Sequence, residues 1–444
     1  MIEFLLDAMA ADPHRVAVAD GDGAWTSADL TAAIGRIGAQ LDASGPSAGR
    51  VVSLEAEYGL PAVATFLALT GRGAIIVPLS QAARAHHESF LEIAQVERRV
   101  ACGGTAEAVI TDTGRQAAHP IYDILHERKT PGLVLFSSGS TGVPKAAVHD
   151  LERLLRKFKV RKRAYRTIVF LQLDHIGGVN TLFYTLSNSG AIIVPPDRSP
   201  DGVCRAIATH RAELLPTSPT FLNLLLISGA ITRHDLSSLK LVTYGTEPMP
   251  ASTLTRVAAA FPDAKLQQTY GLTEIGILRS ESRGPDSLWV RVGGEGYETK
   301  VVEGRLWVRA ESAMLGYLNA PSPFSEDGFL DTGDLVEVDG DWLRILGRRS
   351  EIINVGGSKV HPAEVESVLL SLEGVEDAVV AAEPNAITGQ IVSATVRLAT
   401  AESLTEFKAR MRAWCRDRLE PYKIPAKVRF AEGPLYSERF KRKR

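Results

Sequence analysis

The chain has 444 residues, of which 45% are apolar and 23% are charged, and its formal net charge is −2. This length is too great for one compact core and predicts two or three domains. The nearly balanced charge argues against general nucleic-acid binding, and no apolar run reaches the roughly 20 residues of a membrane span. Three scattered cysteines and an acidic start without a basic leader predict a cytoplasmic protein with no signal peptide.

The first third of the chain alternates between helix and strand patterns. Residues 1–45 predict a helix, a short hairpin and a second helix. The second helix should begin near Thr26, which stands three positions before Asp29 in a capping-box spacing. Apolar runs at 51–54 and 74–79 flank an Ala- and Leu-rich segment that is typical of a helix. Such alternation predicts an α/β fold with a parallel, helix-covered sheet.

A loop rich in glycine and hydroxyl groups follows the short apolar run at 133–136, which predicts a buried strand. The loop consists of Ser137, Ser138, Gly139, Ser140, Thr141, Gly142, Val143, Pro144 and Lys145. Glycines let backbone N–H groups approach an anion, hydroxyls donate hydrogen bonds and a lysine adds a positive charge. The loop therefore suits a polyphosphate, although Pro144 before Lys145 departs from the common P-loop. A plain surface turn is the alternative.

Several motifs in one order resemble the adenylate-forming superfamily, which contains acyl-CoA synthetases, adenylation domains of peptide synthetases and luciferases. They are the 137–145 loop, Tyr270-Gly271-Leu272-Thr273-Glu274, Asp331-Thr332-Gly333-Asp334, Gly347-Arg348 and a lysine near the C-terminus. The resemblance covers about Trp25 to Arg444. It implies an AMP-binding domain of helix-covered mixed sheets, residues 1–347, and a small mobile α+β lid, residues 348–444, with a hinge at Ser350.

The resemblance also implies a nucleotide site. The 137–145 loop would hold the phosphates, and a turn of Gly245, Thr246 and Glu247 would hold the adenine. Tyr270, followed by Gly271, would stack on the adenine, Thr273 would contact the α-phosphate, and Glu274 would bind Mg²⁺. Asp334 would accept both ribose hydroxyls, and Arg348 would contact the nucleotide. These residue types agree with the roles, because a ring stacks, a hydroxyl donates and a carboxylate is a hard ligand.

Further residues match the acid pocket and the catalytic groups of the superfamily. His175 matches a histidine that lines the acyl pocket, which Gly177 and Ser218 would also border. Asp174 would either bind a substrate ammonium or cap the following helix. Lys441 is placed on the catalytic lysine, with Lys443 as a rival in a shifted register, although relatives usually have glycine where this chain has Phe440. Gly356 and Gly357 would leave room for a pantetheine arm.

The implied reaction joins a small-molecule carboxylate to ATP, releasing pyrophosphate, and then transfers the acyl group to a thiol. Coenzyme A is the expected acceptor. Two alternatives are a stand-alone enzyme that loads an amino or aryl acid onto the phosphopantetheine of a carrier protein, and a ligase with a non-thiol acceptor. A run of eight basic residues at 153–166 predicts either a solvated surface or a docking patch for coenzyme A phosphates or an acidic carrier protein.

Overall fold

The structure is a computed structural model that describes residues 2–103, 108–137, 144–437 and 440–443. Its strands are β1 (Val16–Asp20), β2 (Gly23–Thr26), β3 (Val51–Glu55), β4 (Ile75–Leu79), β5 (Arg98–Cys102), β6 (Ala108–Asp112), β7 (Gly132–Ser137), β8 (Lys145–Asp150), β9 (Arg166–Ile168), β10 (Ala191–Ile193), β11 (Leu214–Thr217), β12 (Leu241–Tyr244), β13 (Lys265–Gln268), β14 (Gly271–Leu272), β15 (Gly276–Ile277), β16 (Arg279–Ser282), β17 (Trp289–Gly293), β18 (Tyr297–Val302), β19 (Arg305–Ala310), β20 (Gly316–Tyr317), β21 (Leu330–Asp339), β22 (Trp342–Arg348), β23 (Ile353–Val355), β24 (Ser358–Val360), β25 (Val375–Asn385), β26 (Gly389–Leu398) and β27 (Lys427–Phe430).

Its α-helices are α1 (Glu3–Ala10), α2 (Ser27–Ala43), α3 (Leu60–Gly71), α4 (His87–Ile93), α5 (Pro120–Arg128), α6 (Leu151–Leu155), α7 (Ile176–Ser187), α8 (Pro200–His210), α9 (Pro219–Ser228), α10 (Ala230–Arg233), α11 (Ala251–Ala260), α12 (Pro362–Leu370) and α13 (Leu404–Arg416). Short 3₁₀ turns occur at Gln81–His86, Arg156–Phe158, Arg349–Glu351 and Pro421–Lys423. No helix in the described parts of the chain combines the length and apolarity needed to cross a membrane.

The first seven-stranded sheet has the order β20-β8-β7-β4-β3-β5-β6. Strands β3, β4 and β7 run parallel, and α3 between β3 and β4 is buried along most of its length. This agrees with the predicted helix-covered sheet, because strands and helices buried on all sides read as continuous apolar runs. Strand β8 returns antiparallel beside β7, so the sheet is mixed, and the phosphate-loop region connects these two strands.

The second seven-stranded sheet has the order β13-β12-β11-β9-β10-β1-β2. Its strands β9 to β13 run parallel, so their carboxyl ends meet along one edge. Crevices at that edge are the usual binding places of open α/β sheets. The N-terminal hairpin β1–β2 joins the sheet, and α2 begins with the predicted capping box, in which Thr26 and Asp29 bond reciprocally.

A six-stranded antiparallel sheet, β16-β17-β22-β21-β19-β18, completes the large N-terminal domain. Alternating buried and half-buried residues along Leu330–Val336 of β21 show that one face of this sheet packs inward. Asp334 in β21 is paired directly with Arg348 at the end of β22. The sheet therefore holds two predicted nucleotide residues side by side.

The smaller C-terminal domain consists of β23 to β27 with α12 and α13, around an apolar core of its own. The chain leaves the six-stranded sheet after Arg348 and enters this domain at Ile353, and the exposed Ser350 lies between them in a 3₁₀ turn. The overall division into a large and a small domain is confirmed. Because Arg348 still belongs to β22, it extends the sheet of the large domain, and the predicted boundary between 347 and 348 stays a prediction.

Candidate active site

Predicted site residues follow the carboxyl ends of four parallel strands, β9, β11, β12 and β13. A cavity of about 20 Å³ opens at this edge. It is lined by Ser80, Ala82, Phe170, Leu171, Gln172, Asp174, His175, Arg198, Thr246 and Lys441. The fold therefore brings His175, Thr246 and the C-terminal Lys441 to one place, although they are far apart in the sequence.

His175 caps the pocket helix α7. Its Nδ1 accepts a hydrogen bond from the Gly177 backbone N–H at 3.0 Å, so the N-cap is His175 and the expectation of a cap at Asp174 is wrong. His175 directly precedes the first helical residue, Ile176, whereas Asp174 lies one residue further from the helix. A Cβ at Gly177 would lie 2.5 Å from Leu171 Cδ1, so a larger residue in that turn would require the Leu171 side chain to shift.

Asp174 is buried at the cavity, where its Oδ2 accepts a hydrogen bond from Ser80 Oγ at 2.7 Å. Ser80 comes directly after β4 in the other seven-stranded sheet. The Asp174 carboxylate thus joins the two sheets across the cavity. A role for it toward a substrate ammonium stays a prediction.

The turn after β12 is closely packed against the end of β13. A Cβ on Gly245 would lie 2.6 Å from Thr269 Oγ1 and 2.7 Å from the Thr269 carbonyl oxygen, so only glycine fits. The next residue, Thr246, has a φ of +74°, a conformation that β-branched residues rarely adopt. Strain of this kind is often found at binding sites, and here the strained residue lines the cavity.

The buried Tyr270 and Asp334 form a polar cluster with Arg348, whose side chain is half-exposed. The Tyr270 hydroxyl donates to Asp334 Oδ2 at 2.6 Å, and Arg348 Nε lies 3.4 Å from Asp334 Oδ1. Burial raises the pKa of Asp334, and the Arg348 charge and the Tyr270 hydrogen bond oppose that rise. Burial and the Asp334 charge raise the pKa of Tyr270, so its hydroxyl stays a donor. Asp334 thus contacts both of the other two residues predicted to contact the nucleoside.

Thr273 and Glu274 lie in the tight turn between β14, which begins at Gly271, and β15. The Tyr317 hydroxyl donates to Glu274 Oε1 at 2.5 Å, and Lys145 Nζ lies 5.3 Å from the centre of the Tyr317 ring. Burial and the Glu274 charge raise the pKa of Tyr317, which keeps this hydroxyl protonated. Tyr317 therefore connects the predicted metal ligand with the predicted phosphate lysine.

Both ends of the predicted phosphate loop are described. Ser137 closes β7 and pairs with Lys145 at the start of β8, whereas Ser138, Gly139, Ser140, Thr141 and Gly142 lie outside the described residues. Asn319 fixes the exit of the loop, because its Nδ2 donates to the Pro144 carbonyl at 2.8 Å and its Oδ1 accepts from the Ala146 N–H at 3.0 Å.

The C-terminal tail reaches the cavity. Lys441 lines it, whereas Lys443 is exposed, and its backbone N–H donates to the Leu435 carbonyl at 2.9 Å. This geometry favours Lys441 over Lys443 as the lysine that would act on a bound substrate. Ser218 is not among the cavity-lining residues, because its hydroxyl caps α9 and donates to the Phe440 carbonyl at 2.9 Å.

Glu247 also holds the tail. Its Oε1 accepts from the Thr220 N–H at 2.8 Å, and its Oε2 accepts from the Arg442 N–H at 3.3 Å. Gly356 and Gly357 form the exposed turn between β23 and β24 and are not among the cavity-lining residues. In the arrangement described, the lysine of the C-terminal domain faces the cavity and the two glycines do not.

Motif reasoning missed residues that the fold adds to the site. Tyr317, Asn319, Ser80 and Arg198 come from segments without a chemical signature. Only the pairing of β20 with β8 brings Tyr317 and Asn319 to the phosphate-loop region. No sequence pattern indicates that pairing, because β8 and β20 are more than 150 residues apart in the chain.

His149, in β8, is fully buried beneath the Thr273 turn. Burial lowers the pKa of His149 from 6.5 to about 4, against the opposing effect of the nearby Thr273 and Ser312 backbone. The unfolded chain therefore takes up a proton at a higher pH than the folded protein. As the pH falls from 6.5 to 4, the free energy of unfolding should fall, by about 3 kcal/mol from this residue alone.

We accordingly expect His149→Gln to reduce the loss of stability between pH 7 and pH 4.5. The measurement is the free energy of unfolding from urea titrations at both pH values. His126→Gln is a matched control, because the His126 side chain is 43% exposed. An unchanged pH dependence in His149→Gln would contradict the assignment.

Comparison with known proteins identifies the family of the chain. Residues 5–318 match the family of AMP-binding enzymes, and residues 364–437 match the C-terminal domain of AMP-binding enzymes. These two family matches, over a mixed α/β fold with a large and a small domain, define an adenylate-forming enzyme. The chain belongs to the AMP-binding enzyme family of that superfamily. The prediction of an AMP-forming ligase is confirmed at this level.

Two relatives show how far the similarity reaches. Feruloyl-CoA synthase from Amycolatopsis sp is 27% identical, over 95% of this chain and 92% of the relative. 4-Coumarate–CoA ligase-like 2 from Arabidopsis thaliana is 29% identical over 67% of this chain, and the match spans 57% of that relative's length.

Two solved structures have the same fold. The anthranilate CoA ligase AuaEII in complex with anthranoyl-AMP has a TM-score of 0.83 and 21% identity, over 99% of this chain and 95% of that one. The amide bond synthetase McbA from Marinactinospora thermotolerans has a TM-score of 0.77 and 23% identity, over 98% of this chain and 96% of that one. At these identities the likeness establishes the fold.

Proposed function

We propose that the protein activates a carboxylic acid with ATP and transfers the acyl group to the thiol of coenzyme A. In the first step a carboxylate oxygen attacks the α-phosphorus of ATP, the bond to the β-phosphate oxygen breaks, and pyrophosphate leaves. In the second step the thiol sulfur attacks the acyl carbon, the thiol loses its proton, and AMP leaves. The observation that carries the proposal is Lys441 at one cavity with His175 and Thr246.

The chain offers groups suited to the first step. Carboxylate and triphosphate repel each other, so catalysis depends on positioning and neutralisation of charge. Lys441 would supply a positive charge beside the reacting carboxylate, and Lys145 would supply one at the phosphates. Tyr270, Asp334 and Arg348 would bind the nucleoside, and Thr273 would donate to the α-phosphate. No side-chain nucleophile is needed.

Glu274 fits a magnesium ion. Tyr317 donates to its Oε1 and orients the carboxylate, which leaves Oε2 for a metal. Mg²⁺ is usually held by one or two carboxylates together with substrate phosphates, so a single glutamate suffices. This agrees with the lack of any cluster of three or more His, Cys, Asp or Glu ligands in the described residues. The ion would neutralise phosphate charge and orient the leaving pyrophosphate.

The second step needs a different arrangement of the C-terminal domain. A rotation of the C-terminal domain about Ser350 would withdraw Lys441 and bring Gly356 and Gly357 to the cavity. Both glycines are exposed in the arrangement described. Ser350 is exposed in the short segment between the two domains, where a change of φ and ψ breaks few contacts. The hinge, the thiol path and the mobility of the lid are parts of the proposal.

The position and contacts of the basic run at 153–166 favour a solvated surface over a docking patch for coenzyme A phosphates or an acidic carrier protein. Residues 159–165 precede β9 and so lie at its amino end, whereas the cavity residues follow the carboxyl ends of the parallel strands. Arg156 pairs with Glu311 at 2.9 Å. Lys157 is used internally, because its Nζ donates to Asn180 Oδ1 and to the Ile277 carbonyl, both at 2.7 Å.

The test is carboxylate-dependent ATP–pyrophosphate exchange with Mg²⁺ across a panel of fatty, aryl and amino acids. Exchange with one class of acid is the expected result and identifies the substrate class. Coenzyme A, a phosphopantetheinylated carrier protein and an amine are then added in turn to identify the acceptor. Exchange without thioester formation would replace the thiol step by a non-thiol acceptor, and no exchange with any acid would contradict the first step.

A further inference from the structure

Phe440, the residue before Lys441, has an unusual backbone conformation. Its φ is +52°, in the left-handed region that bulky side chains rarely adopt. Such a conformation persists only where the surroundings over-determine it. The contacts of the Phe440 ring and backbone should therefore reveal what holds the tail in this position.

The ring lies in an aromatic cluster at the wall of the cavity. Its centre is 5.0 Å from that of Phe170, 5.3 Å from Phe221 and 5.5 Å from Tyr436, and the Arg198 guanidinium lies 5.9 Å away. Phe170 and Phe221 belong to the core of the second sheet, so they form a rigid receptor. Edge-to-face and tilted pairs of this kind stabilise beyond the burial of apolar area.

The backbone on both sides of the ring is also fixed. Ser218 Oγ donates to the Phe440 carbonyl, and the Arg442 N–H donates to the Glu247 carboxylate. The Arg442 guanidinium lies 3.7 Å from Glu366 and from Asp377, both in the C-terminal domain. Lys441 is thus placed between two anchored residues, one on the large domain and one linked to both domains.

We propose that Phe440 is a positioning residue, an aromatic anchor that seats the C-terminal tail on the large domain and directs Lys441 into the cavity. The ring compensates for its own strained backbone by packing on Phe170 and Phe221. The catalytic consequence rests on the proposed function, but the seating of the tail does not. Two measurements therefore distinguish failure of the anchor from failure of the proposed function.

The first readout is trypsin cleavage after Lys441 and Arg442, followed by intact mass. A seated tail protects these bonds, and losing the aromatic contacts should raise the cleavage rate of Phe440→Gly about tenfold. Glycine adopts the observed φ without strain, so this variant separates ring from backbone. Phe440→Tyr keeps the ring and should restore protection. Unchanged protection in Phe440→Gly, with an unchanged unfolding midpoint, would overturn the anchor.

The second readout uses a carboxylate that supports exchange. Phe440→Gly should lower kcat for ATP–pyrophosphate exchange about tenfold at an unchanged KM for ATP, because the nucleoside cluster is untouched. Thioester formation from supplied acyl-AMP should keep its rate. A merely structural role would lower both half-reactions together, and that result would overturn the proposal. If no acid supports exchange, the proposed function fails, yet the protease result still decides the anchor.

Discussion

Lys441→Ala should reduce acid-dependent ATP–pyrophosphate exchange by about 100- to 1,000-fold, the usual cost of removing one group that stabilises transition-state charge. The reason is electrostatic. The carboxylate must approach a triphosphate that repels it, and Lys441 lines the cavity where that approach would take place. A compact ammonium group there would lower the barrier by neutralising part of the negative charge of the two reactants.

The same variant should leave thioester formation from supplied acyl-AMP within about twofold of wild type, since removal of a surface-tail side chain rarely perturbs distant packing. That step breaks the bond to AMP and would use the rotated arrangement, in which Lys441 has left the cavity. Rapid-quench measurement of each half-reaction separates the two effects. Equal loss in both half-reactions would contradict the assignment.

Lys443→Ala is the matched control. Lys443 lies two residues further along the same tail, carries the same charge and is exposed. If the tail acted only by its net positive charge, the two variants would lose activity equally. A large loss in Lys441→Ala with little change in Lys443→Ala is the result that the geometry predicts.

Local patterns predicted the elements well where burial is nearly complete. The apolar run at 133–136 is a buried strand, and the Thr26–Asp29 spacing is a capping box, because both signals depend on residues close in sequence. The helix cap at the cavity was predicted wrongly. Asp174 and His175 can both cap a helix, and only the position of the first helical turn in the folded chain decides between them.

Contacts between distant segments were beyond sequence reasoning. Motifs placed Tyr270, Asp334 and Arg348 in one nucleotide site, yet nothing in the letters indicated that the Tyr270 hydroxyl bonds to Asp334. Likewise, nothing in the sequence indicated that the Tyr317 hydroxyl bonds to Glu274, which lies 43 positions earlier in the chain. Phe440 occupies the position before Lys441 where glycine was expected. Its ring contacts with Phe170 and Phe221 explain how the fold accommodates this larger side chain.

Asp334→Asn should weaken productive ATP binding by about 10- to 100-fold, because the proposed charge-assisted hydrogen bonds to both ribose hydroxyls would become neutral ones. The Asp334 side chain is only 10% exposed, and Tyr270 and Arg348 orient its carboxylate, so it cannot move to compensate. The measurement is KM for ATP in pyrophosphate exchange. Asp331→Asn is the control, since Asp331 lies three residues away and pairs with Arg305 instead.

The same substitution should leave stability unchanged or raise it. Burial raises the pKa of Asp334, so ionisation of its carboxyl group lowers the free energy of unfolding. A neutral amide removes this cost. Arg348, half-exposed, keeps its hydration when its partner is neutral. An ATP-binding loss together with an equal or higher unfolding midpoint near pH 7 would show that the charge serves ligand binding. A lower midpoint would instead assign Asp334 to holding the sheet together, and the weaker ATP binding would then follow from local unfolding.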